Sequence, residues 1–173
     1  MNAQDETLFW LIPSAEDEAR FARVIEGLAA PREAAMFTPH LTLGAVRGEV
    51  SDLKQVLAAL AGLTLSPLEI GETDVFTMSL FVRFQPTEAL LAARAELERL
   101  PGFRPGRAFD PHISLCYGAP MATDAQRDEI EALLVTPVAF DQLVAMHIPL
   151  PVETQDDIRK WRETASFGIP SAV

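Results

Sequence analysis

Two of the chain's three histidines sit in frames that repeat each other. Phe37-Thr38-Pro39-His40-Leu41-Thr42-Leu43 returns as Phe109-Asp110-Pro111-His112-Ile113-Ser114-Leu115. Phe, Pro, His and the last Leu are identical, Leu exchanges with Ile, and Thr exchanges with Ser. An imidazole titrates near ~6.5, so one can accept a proton while a second donates one. Each hydroxyl can donate to a non-bridging oxygen of a phosphate held between the pairs. Ring opening of a cyclic phosphodiester needs little more: water activated on one side and a protonated leaving oxygen on the other.

In a strand, side chains alternate between faces. His40 and Thr42 then point one way while Leu41 and Leu43 point the other. His112 and Ser114 do the same against Ile113 and Leu115. Phe37 and Phe109 share the parity of the aliphatics and read as core. Pro39 and Pro111 remove a backbone donor where each strand begins. A lone His-x-Thr would be weak, since most such histidines are ordinary packed residues. The doubling is what argues for catalysis; the competing explanation is a structural repeat whose histidines pack between two lobes.

The elements that must position these pairs follow from periodicity and punctuation. Strands are expected at Thr7–Ile12, His40–Val46, Phe109–Tyr117, Phe140–Leu150 and Ile158–Ile169, with extended segments at Leu65–Phe76 and Met78–Phe84. Helices are expected from Ser14 to Pro31, from Ser51 to Gly62, from Pro86 to Leu100, and over Thr123–Leu134. Gly118 and Pro120 close the second motif strand. The pattern is one supersecondary unit used twice, with a seam near Asp74–Thr77. We therefore expect an α+β fold: two pseudo-symmetric lobes, 1–75 and 76–173, in one bilobal domain that can exchange terminal strands. Antiparallel sheets would face a central cleft, with helices outside.

The 173 residues, 49% of them hydrophobic, suffice for one well-buried core. A single cysteine, Cys116, leaves no intramolecular disulfide and no cysteine-rich zinc module. The apolar run Leu8–Pro13 is too short for a signal-peptide core, and no stretch approaches a membrane span, so a cytoplasmic monomer is expected. A formal charge of −11 argues against binding duplex nucleic acid, yet leaves room for a small anion.

The doubled His-x-Thr/Ser signature, one copy per half of a short chain, resembles the 2H phosphoesterase superfamily. In pattern it is closest to the cyclic nucleotide phosphodiesterases of plants and yeast. It is related to the bacterial RNA 2',3'-cyclic phosphodiesterases, also called 2'-5' RNA ligases. The resemblance covers essentially the whole chain. It implies general acid and base roles for His40 and His112, phosphate contacts from Thr42 and Ser114, and catalysis without metal or other cofactor. The run Ser114-Leu115-Cys116-Tyr117 resembles the plant enzymes in particular, where a tyrosine at this offset lies beside the substrate. That makes Tyr117 a candidate for contacting base or sugar, with a core aromatic as the alternative. Strict alternation puts Tyr117 opposite His112, so a contact requires a bulge or the strand end at Gly118.

Other residues carry two readings each. Cys116 shares the parity of His112 and could line the cleft, or be a buried inert thiol. Asp110 would favour a metal with His40 and His112, but Thr38 stands at the equivalent place and no further ligand completes a set. Arg104 and Arg107, in the loop before the second motif strand, could reach a phosphate or be surface arginines. His147 reads as structural, and Trp161 as core or cleft wall. The expected function is hydrolysis of a nucleoside 2',3'-cyclic phosphate or ADP-ribose 1'',2''-cyclic phosphate to a monoester. The alternatives are an RNA-end 2',3'-cyclic phosphodiesterase or 2'-5' RNA ligase acting on short RNA ends, and a non-catalytic nucleotide-binding module.

Overall fold

Both sides of strand β1 (Glu6–Pro13) are covered: Phe9 and Leu11 face one core, while Leu8, Trp10 and Ile12 face another. The computed structural model describes residues 6–50, 52–118 and 122–173. Strand β2 (Leu41–Arg47) pairs antiparallel with one edge of β1, and the long β7 (Val138–His147) with the other. Two strands share the far edge of β7: the short β3 (Thr64–Leu65) and β8 (Arg162–Gly168). The second half-sheet consists of β6 (His112–Cys116), β5 (Leu80–Phe84) and β4 (Pro67–Glu72). The halves meet where β2 lies beside β6, in the order β3-β7-β1-β2-β6-β5-β4 with β8 on β7. The class is α+β, and every pairing is antiparallel.

Helices α1 (Ala15–Ala29), α2 (Lys54–Ala59), α3 (Glu88–Glu98) and α4 (Asp124–Ala132) bury one stripe each. Phe21, Val24, Ile25 and Leu28 of α1, with Leu90 and Leu97 of α3, join Leu11, Leu41, Leu43, Ile113 and Leu115 in the main core. Recurrence at three- and four-residue spacing is what puts them on one face. Trp10, Ile12, Val144, Met146 and Ile148 form a smaller cluster on the opposite face of the sheet, which no helix of this set covers. That face carries the histidines.

Several boundaries differ from expectation for identifiable reasons. Ser14 is the N-cap of α1, but its hydroxyl accepts no helix N–H; it donates to Asp17 Oδ2 (3.1 Å), which also accepts from the Ala139 amide (2.8 Å) and so ties α1 to β7. The expected segment Leu65–Phe76 divides: β3 pairs with β7, β4 pairs with β5, and residues Phe76–Met78 form a 3-10 turn. The expected strand from Ile158 begins with a helical turn, α5 (Gln155–Ile158), held by a capping box between Thr154 and Asp157. Helix α2 starts at Lys54; Ser51 and Pro120 lie outside the described residues.

Candidate active site

The two motif strands are neighbours, paired through Leu41 and Ile113. Antiparallel pairing about that point relates the copies by a local twofold. Extending it by one residue sets His40 across from Ser114, and Thr42 across from His112. All four side chains line one cleft of about 510 Å³.

The repeat extends to the backbone. Phe9 pairs with Gly44 and Trp10 with Thr42, so Leu43 is an extra residue on β2. Phe81 pairs with Ser114 and Leu80 with Cys116, so Leu115 is an extra residue on β6. Each copy thus carries a β-bulge at the same place in its frame, directly after the hydroxyl. The carbonyls freed nearby find side-chain donors: Arg94 donates to Leu43 O (2.6 Å) and Ser79 Oγ to Cys116 O (2.8 Å).

The second bulge changes the parity beyond Ser114. Cys116 turns into the main core beside Leu115, where Arg32 donates to its sulfur (2.6 Å). The expectation that Cys116 shares the histidine face is therefore corrected. Tyr117, one residue on, lines the cleft. Burial pushes the Tyr117 phenol well above its ordinary pKa, so it stays protonated.

Each imidazole is held alike. His40 Nδ1 lies 2.7 Å from Thr38 O, and His112 Nδ1 lies 2.7 Å from Asp110 O. A carbonyl can only accept, so Nδ1 carries the proton in both rings and Nε2 is left for proton transfer. The walls behind the rings differ. Trp10 stacks on His40 with centroids 3.5 Å apart and planes 11° apart, whereas Phe81 tilts against His112 at 5.2 Å and 60°. His40 is 6% exposed. Burial, reinforced by the neighbouring His112, pulls its pKa down to about 4 against the bond it donates to Thr38 O. Burial also lowers His112, opposed by its bond to Asp110 O and the Asp110 charge.

Residues not singled out in the sequence complete the cleft: Leu8, Thr77, Met78, Ile148, Leu150, Pro151 and Val152, together with Trp10. Trp161, read as core or wall, is cleft wall. The indole N–H groups of Trp10 and Trp161 are buried with no partner among the described residues. A buried donor without an acceptor costs about 1–3 kcal/mol. The one sequence signal for Trp10 was its shared parity with Leu8 and Ile12 on the first strand.

The structure brings His40, Thr42, His112, Ser114 and Tyr117 together but places the loop arginines elsewhere. Arg104 pairs with Glu6 (3.1 Å). Arg107 lines a separate depression with Arg94, Glu98 and Phe109. The loop is pinned to the far end of β2, where Gly102 O accepts from the Arg47 amide (2.9 Å). Gly102 has φ 84°, and a Cβ there would stand 2.1 Å from Arg47 O, so the path depends on glycine. Asp110 makes a two-pronged ion pair with Arg83 (2.8 and 3.1 Å). Among the described residues no three of His, Cys, Asp and Glu converge as metal ligands. His147 ends β7 outside the cleft lining.

No family model matches the sequence, and no curated protein sequence matches it. Solved structures do match. The crystal structure of E. coli LigT complexed with 3'-AMP superposes with a TM-score of 0.55 at 16% identity, covering 97% of this chain and 99% of LigT. The chain has the LigT fold. The crystal structure of a phosphoesterase gives TM-score 0.53 at 17% identity, over 96% of this chain and 99% of its own. LigT complexed with NADP+ gives 0.52 at 16% identity, over 98% and 100%. The LigT fold thus extends across the chain, as the doubled motif implied.

Proposed function

We propose that this chain is a 2H phosphoesterase that hydrolyses a small cyclic phosphodiester, a nucleoside 2',3'-cyclic phosphate or an ADP-ribose cyclic phosphate, to a phosphomonoester. The observation that carries the reading is the matched pair of imidazoles, each with Nδ1 bound to the carbonyl two residues before it and Nε2 left over. His40, more buried and held neutral, is the base, and His112, beside Asp110, is the acid. Water attacks phosphorus while His40 Nε2 takes its proton. The bond from phosphorus to one sugar oxygen breaks, and His112 Nε2–H protonates that oxygen. Thr42 and Ser114 donate to the non-bridging oxygens, and the two imidazoles then restore their protons through solvent. No step calls on a metal. The wall of Trp10, Trp161 and Tyr117 suits a flat head group.

Incubation with a panel of cyclic nucleotides in EDTA, followed by phosphorus NMR, tests this reading. Conversion to monoester is expected. Tight binding of every cyclic nucleotide without turnover would instead make the chain a non-catalytic nucleotide-binding module. Activity only on RNA ends would favour the 2'-5' RNA ligase branch.

A further inference from the structure

Among the described residues no lysine, arginine, aspartate or glutamate lines the cleft. All fourteen lysines and arginines lie among the described residues, and none lines it. The cations nearest in the chain are turned away or already paired. Arg83 pairs with His112 across β5 and β6, but its guanidinium is taken by Asp110 and Glu69. Lys160 and Arg162 flank the wall residue Trp161 and, with Arg159, border a different depression. Arg162 opens β8, where alternation along the strand turns it away from Trp161, and Lys160 lies in the turn after α5. Arg159 is paired with Asp156 (2.6 Å) and Lys160 with Asp157 (3.0 Å).

A cyclic diester has one negative charge, which a single imidazolium and two hydroxyls can match. A second phosphate would enter a wall of Leu8, Met78, Ile148, Leu150, Val152 and Trp161 with no counter-charge, inside a chain of formal charge −11. The indole N–H groups of Trp10 and Trp161 beside it are uncharged and buried. Resting on the hydrolytic reading above, we infer that the cleft selects substrates whose only phosphate is the cyclic diester, on a neutral head group. ADP-ribose cyclic phosphate and longer RNA ends are then disfavoured by charge rather than by size.

A matched pair of substrates tests this: adenosine 2',3'-cyclic phosphate and the same molecule phosphorylated at its 5' oxygen. The first should have kcat/KM at least tenfold higher, and its kcat/KM should stay flat or rise as salt is added, because no cation–phosphate contact is screened. Equal or better use of the 5'-phosphorylated substrate, lost on Arg162→Ala, would overturn the inference and leave the hydrolytic reading standing. Failure to hydrolyse either would sink the hydrolytic reading. Calorimetry would then still decide the charge preference, by comparing adenosine 3'-phosphate with adenosine 3',5'-bisphosphate. Tighter binding of the monophosphate supports the inference, and tighter binding of the bisphosphate refutes it.

Discussion

Leu41 pairs with Ile113 across the seam between the two half-sheets, and the two histidine frames are related about that pair. Because the pairing is antiparallel, each imidazole comes to lie by the other frame's hydroxyl. Two aliphatic residues that touch no substrate thereby set the geometry of the four that would.

Replacing either His40 or His112 by Ala should lower kcat on a cyclic nucleotide by at least ~10²-fold, the usual scale for one general acid or base. The double variant should fall far less than the product of the two, because the groups act as a unit. Steady-state kinetics on the three folded variants decides it; wild-type turnover by His112→Ala would end the case for acid catalysis.

The hydroxyls are not equivalent. Ser114 Oγ already donates to Thr77 O at 3.1 Å, and must release that bond to serve a phosphate. Thr42 has no such competitor among the described residues. Thr42→Ala should therefore lower kcat/KM by about tenfold, on the scale of one hydrogen bond to a charged group, and Ser114→Ala by less. The reverse order would show that the Thr77 contact does not hold Ser114 back.

Burial of neutral His40 makes stability depend on pH. Its folded pKa of about 4 lies below the unfolded value of ~6.5, so the unfolded chain binds the extra proton first. The contribution is intact above ~6.5 and is lost progressively as pH falls towards 4, amounting to about 3 kcal/mol over that window. Urea titrations at pH 7 and pH 4.5 should show the loss, and His40→Gln should shrink it. An unchanged pH dependence in that variant would mean that other groups carry it.

The residues that could do chemistry were legible because duplication writes the same frame twice, and side-chain alternation alone gave their shared face. Features set by one extra backbone residue or one close approach were not. The bulge at Leu115 exchanges the faces of Cys116 and Tyr117, and composition gives no sign of it. Arg107 sits directly before the motif in the chain, yet the Gly102–Arg47 contact carries its loop to the other end of β2. The stacking of Trp10 on His40 depends on the register of β1 against β2, which shifts at the first bulge. Helix α5 is a different kind of miss, since Thr154-Gln155-Asp156-Asp157 has the spacing of a cap in plain view.

His40 and His112 are proposed to divide the proton transfers, with His40 as base. The most direct measurement is the pH dependence of kcat/KM on a cyclic mononucleotide, which reports the free enzyme's ionisations. Activity should rise as pH climbs past about 4, where His40 loses its proton, and fall again below pH 6.5 as His112 loses its own. The limbs belong to the coupled pair, so each is assigned by which histidine variant abolishes it. The optimum should lie on the acid side of neutrality, with the low-pH limb lost in His40→Ala. A profile flat from pH 4 to 9 in single-turnover conditions would contradict it, leaving a phosphate-binding cleft without proton transfer by histidine.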